Sequence, residues 1–92
     1  MIIRGRLLTP GEHPVSTVRI SAGEWTSDEV LRALADGQRV VVETEFLGEQ
    51  HEVTLRWDGE TYYCDTPTRL HKHATEEEMR VCIRKMGYAA DT

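Results

Sequence analysis

The chain has 92 residues, 39% hydrophobic and 29% charged, with a formal net charge of −5. That length holds one small domain, residues 1–92, and no apolar run approaches the roughly 18 residues of a membrane span. Sixteen acidic against eleven basic residues disfavour a general affinity for phosphate backbones, which needs clustered Lys and Arg.

Residues 2–8 and 15–21 read as strands, the second alternating Ser16, Val18 and Ile20 against Val15, Thr17 and Arg19. Pro10, Gly11 and Pro14 break the chain between them. Charge at Arg4 and Arg6 falls where an export signal would carry its apolar stretch, so a cytoplasmic address is expected and Cys64 and Cys82 are read as thiols. Thr26 followed by Glu29 is a capping box, with Trp25 and Val30 placed as a hydrophobic staple and Gly37 as the stop. Residues 27–36 should form a helix that buries Val30, Leu31 and Leu34, with Ala33 and Ala35 beside them.

Residues 39–65 read as a three-stranded meander with two tight turns. A type II′ turn at Gly48-Glu49 sets Phe46 opposite His51, Val42 opposite Leu55 and Val40 opposite Trp57. A type I′ turn at Asp58-Gly59 sets Leu55 opposite Tyr62 and Val53 opposite Cys64. Both registers give one apolar face carrying Val40, Val42, Val53, Leu55, Tyr62 and Cys64. On the polar face they line up Glu45, Glu52 and Asp65, a row that asks for a bound cation, a basic partner or screening by salt; screening is the preferred explanation.

Residues 65–74 read as a loop. A second capping box at Thr75 and Glu78 then opens a helix with Met79, Cys82, Ile83 and Met86 as its buried stripe and Gly87 as its end. The expected fold is a two-layer α+β domain, ordered β-β-α-β-β-β-α, with a mostly antiparallel sheet, helices on one face and a β-grasp-like start.

Four residues, Cys64, His71, His73 and Cys82, make a Cys2His2 inventory suited to tetrahedral zinc, although only the histidines are closely spaced. Buried core thiols and solvated histidines explain the same residues, and free cysteine is among the most buried residue types. A nucleophilic cysteine is disfavoured, because Cys64 faces the core and Cys82 follows Glu76, Glu77 and Glu78, whose charge raises a thiol pKa. Arg69, Lys72, Arg80, Arg84 and Lys85 beside Tyr62 and Tyr63 allow an RNA-binding reading, which the acid-rich meander opposes.

The segment Tyr62-Tyr63-Cys64-Asp65-Thr66-Pro67-Thr68-Arg69-Leu70-His71-Lys72-His73, continuing from Glu76 through Cys82 to Tyr88, resembles the C-terminal part of small uncharacterised proteins of salt-loving archaea. The scarcity of lysine, Lys72 and Lys85 alone, agrees with that source. The resemblance implies tolerance of facing carboxylates and brings no activity or catalytic residue. The leading expectation is a small non-enzymatic interaction module that binds a protein partner or a second copy and needs no cofactor. Its contact surface is expected at Tyr63, Arg69, His71, Lys72 and His73, with loop 65–74 as its centre. A zinc-binding domain and an RNA-binding module are the alternatives.

Overall fold

The computed structural model describes residues 16–91, so the strand expected over residues 2–8, and the β-grasp likeness that depends on it, lie outside the described residues. Seven elements follow in chain order: β1 (Thr17–Ser21), α1 (Ser27–Ala35), β2 (Arg39–Phe46), β3 (Glu49–Trp57), β4 (Tyr62–Asp65), β5 (Leu70–His73) and α2 (Glu76–Lys85). The strands form one sheet in the order β1-β2-β3-β4-β5; β1 and β2 are parallel and every other pair is antiparallel. A parallel pair needs a crossover, and α1 supplies it. Helix α1 lies over β2 and β3, and α2 over β4 and β5, so both cover the same sheet face. Within residues 16–91 this is the expected α+β architecture with one strand, β5, more than the sequence indicates there.

Helix α1 begins where the capping box requires. The Thr26 hydroxyl accepts from the Glu29 backbone N–H at 3.2 Å, and the Glu29 carboxylate accepts from the Thr26 N–H at 2.9 Å. At α2 the box is only half made. Thr75 accepts from the Glu78 N–H at 3.1 Å, while the Glu78 carboxylate reaches past Thr75 to the Ala74 N–H at 3.0 Å.

The core holds Val30 and Leu34 from α1, Val40, Val42 and Leu55 from the central strands, and Met79 and Ile83 from α2, all fully buried. The stripe of α2 is narrower than expected. Cys82 is half-buried, and Met86, which caps the helix, is 49% exposed.

Both turn registers differ from expectation by two residues. Phe46 pairs with Glu49, Val42 with Val53 and Val40 with Leu55, so the turn is Leu47-Gly48, with φ of 54° and 82°. Trp57 pairs with Tyr62 and Leu55 with Cys64, across a four-residue loop in which the Asp58 carboxylate accepts from the Glu60 and Thr61 N–H groups. A slip of two keeps every side chain on its face. The expected apolar face therefore survives, while Leu55 and not Val53 stands opposite Cys64.

The same slip removes the carboxylate row. Glu52 faces Glu43, Glu45 faces Gln50 and Asp65 faces Thr54. The Glu43–Glu52 pair that replaces it is bridged by Arg19 from β1, whose Nη1 lies 3.3 Å from Glu43 and 2.6 Å from Glu52.

Residues 65–74 are not a loop throughout. Thr66 and Arg69 close a turn around Pro67, with Thr66 N donating to the Arg69 carbonyl at 2.9 Å. Strand β5 then pairs Cys64 with His71 and Tyr62 with His73. Its sequence, Leu-His-Lys-His, has no apolar alternation to mark it, because it forms an edge with few buried positions.

Candidate functional site: a thiol and imidazole cluster beside an edge strand

Pairing of β5 with β4 puts His71 and His73 on the helix-covered side, next to Cys64 and Tyr62. Their rings lie 6.5 Å apart and nearly parallel, at 4°, as successive same-side residues of a strand should. Helix α2 packs over this edge and brings Cys82 against both the Cys64 thiol and the His73 imidazole. Tyr88, buried just beyond α2, places its hydroxyl against Cys64 from the other side. Four of the residues singled out in the sequence thus gather in one place. Tyr88 joins them unforeseen; the only signal was an aromatic residue directly after the terminating glycine.

The two thiols have opposite environments. Contact with Cys82 and burial hold Cys64 protonated, pushing its pKa far up. Cys82 moves the other way: the hydrogen bond from Cys64 lowers its pKa, and His73 and His71 act in the same direction against the cost of desolvation. The expectation that Glu76, Glu77 and Glu78 would raise it is not met. Their side chains are exposed at the start of α2, and Cys64, His73 and His71 act more strongly on the sulfur. Nε2 of His73 is buried and has no hydrogen-bond partner.

A cavity of about 440 Å³ lies between β5 and α2, lined by His71 and His73 from the strand, by Glu77, Glu78, Val81, Cys82 and Lys85 from the helix, and by Met86. A second cavity, of about 630 Å³, continues from His71 and Met86 toward Arg69, Glu45 and Tyr88. Cys82 opens to the first; Cys64 is sealed at 1% exposure. Val81 and Met86 are 54% and 49% exposed, so α2 offers apolar surface alongside the edge strand.

The other expected contact residues separate. Tyr63 and Lys72 pair with each other on the opposite sheet face. Tyr63 is also engaged: its hydroxyl donates to Asp58 at 2.8 Å, and the Arg56 guanidinium stacks 4.0 Å above its ring. That arrangement holds Asp58 down at about 2, chiefly through the Thr61 and Glu60 N–H bonds, and raises Tyr63. Among the described residues, no three His, Cys, Asp or Glu side chains converge so as to hold a metal ion. None of the described helices is long and apolar enough to cross a membrane.

No curated protein and no solved structure matches the chain. The model of a family of unknown function, DUF8001, matches residues 15–91, which takes in every element described above, and the chain belongs to that family.

Proposed function

We propose that the protein is a small non-enzymatic interaction module that takes an extended segment of a partner protein along β5. The observation that carries this reading is the position of β5, the edge of the sheet among the described residues, directly beside the 440 Å³ cavity under α2. A segment added to a sheet edge gains main-chain hydrogen bonds, and its alternate side chains enter whatever groove adjoins the strand. Here an apolar side chain would pass between His71 and His73 toward Val81 and Met86, while Arg69 and Lys85 favour a carboxylate nearby. The contact surface of this reading is Arg69, His71 and His73 with the outer side of α2, and Lys72, on the opposite sheet face, drops out of it. Tyr63, already held by Asp58 and Arg56, drops out of it.

The scarcity of lysine supports a salt-adapted archaeal source and, with the two free thiols, a reducing cytoplasmic setting. The test is affinity capture followed by identification of the bound protein, using wild type, Val81→Asp in the groove and Arg56→Ala on the opposite face. A partner held by wild type and Arg56→Ala but lost by Val81→Asp supports the reading; one that binds all three equally defeats it. Sedimentation showing a dimer that Val81→Asp dissociates would identify a second copy as the occupant instead.

A further inference from the structure

We propose that Cys82 is a site of reversible oxidation by hydroperoxides, with Cys64 as the resolving thiol that closes a Cys64–Cys82 disulfide. Three observations carry this. The two sulfurs face one another between α2 and β4 with both thiols free. Only Cys82 lines the cavity, so an oxidant reaches it first, while Cys64 at 1% exposure is shielded. Finally, the His73 imidazole, on the helix-covered side of β5, contacts Cys82 within the same cavity lining. A reactive cysteine needs partial exposure and a neighbourhood that favours thiolate, and a redox-sensing one needs a second thiol within reach.

The chemistry balances with hydrogen peroxide as the only co-reactant. The Cys82 thiolate attacks one peroxide oxygen and the O–O bond breaks. Hydroxide leaves and takes up the proton that Cys82 released, forming water, and the Cys82 sulfur becomes a sulfenic acid, oxidised by two electrons. Cys64 then attacks that sulfur and the S–O bond breaks. The departing hydroxide receives the Cys64 proton as a second water. Two thiols lose two electrons and two protons in total, and one peroxide becomes two waters.

This proposal does not rest on the partner reading, and its test uses the protein with the groove empty of any partner. The test exposes the reduced full-length protein to hydrogen peroxide, blocks remaining thiols with N-ethylmaleimide and maps peptides by mass spectrometry. Wild type should lose both maleimide adducts and yield a peptide pair joined through Cys64 and Cys82. Cys64→Ser should hold Cys82 as a sulfenic acid trapped by dimedone, and Cys82→Ser should leave Cys64 reduced at the same peroxide dose. Wild-type protein that gives no linked peptide, or that links two chains instead, overturns the proposal. So does Cys64 oxidation that proceeds unchanged in Cys82→Ser. The wild-type mapping decides the matter even if a variant fails to fold.

Discussion

The carboxylate of Asp91 accepts two hydrogen bonds from Ser27, at 2.9 Å from the backbone N–H and 2.7 Å from the hydroxyl. Ser27 opens α1, and the first N–H groups of a helix lack partners within it. The far end of the chain provides one, with its charge at the positive end of the helix. Around it Gly23 N donates to the Tyr88 carbonyl, Ala90 N to the Trp25 carbonyl, and Arg80 to the Ser27 hydroxyl at 3.1 Å and Asp28 at 2.6 Å. Residues 88–91 therefore fasten the end of α2 to the start of α1.

Two consequences are measurable. Ser27 is fully buried, so Ser27→Ala should lower the Tm by removing the bonds its hydroxyl makes with Asp91 and Arg80. The Ser27 bonds lower the pKa of Asp91 below 3.8, so its contribution is whole above that value and is lost as pH falls through the lowered one. Wild type should melt higher than Asp91→Asn at pH 7, and the gap should close in strong acid. A gap that persists unchanged in strong acid would show that the carboxylate charge is not what Ser27 binds.

Both helices were legible in the sequence because caps are local: a threonine, a glutamate three residues on and a closing glycine fix each end without reference to the rest of the chain. Register was not, because period-two alternation scores equally well when a strand slips by two. Residue preference points to Gly48-Glu49 and away from Leu47-Gly48, because leucine is disfavoured at positive φ. Strand β5 escaped because Leu70 is its one apolar residue and no alternation marks it. The meeting of Cys64 with Cys82 depends on how α2 lies across the sheet, which no spacing in the sequence encodes.

That turn makes a prediction of its own. A two-residue hairpin loop with positive φ at both positions prefers Asn-Gly, and Leu47 at 54° occupies the first position with its side chain 86% exposed. Leu47→Asn should remove backbone strain and an exposed apolar side chain, raising stability by about 0.5–1 kcal/mol, a few degrees in Tm for a domain of this size. Gly48→Ala should do the reverse, since open space surrounds that position and only its φ of 82° resists a side chain. Thermal melts of the two variants, moving in opposite directions from wild type, check the turn assignment.

The thiol cluster predicts a pH profile. Cys82 should be alkylated by iodoacetamide with a midpoint below the roughly 8.5 of an ordinary thiol. The Cys64 hydrogen bond is the largest single cause, so Cys64→Ala should move the midpoint up, and His73→Phe should move it up as well. The rate is read at Cys82 alone, by peptide mass. Midpoints identical in all three proteins would mean that neither neighbour touches the sulfur as described.

Arg19 supplies the last prediction, and it bears on how the sheet tolerates facing carboxylates. Glu43 and Glu52 are directly opposed on β2 and β3, an arrangement that repels, and the Arg19 guanidinium reaches both from β1. All three side chains are well exposed, between 44% and 57%, so water and ions screen the interaction and no large share of total stability rests on it. Arg19→Ala should nevertheless melt below wild type in dilute buffer, because the repulsion is then uncompensated. Added salt should raise the variant toward wild type by screening the two glutamates, and Arg19→Ala combined with Glu52→Gln should recover most of the loss without salt. If the deficit is the same at low and high ionic strength, Arg19 acts by packing against its neighbours in the sheet and not by neutralising the pair.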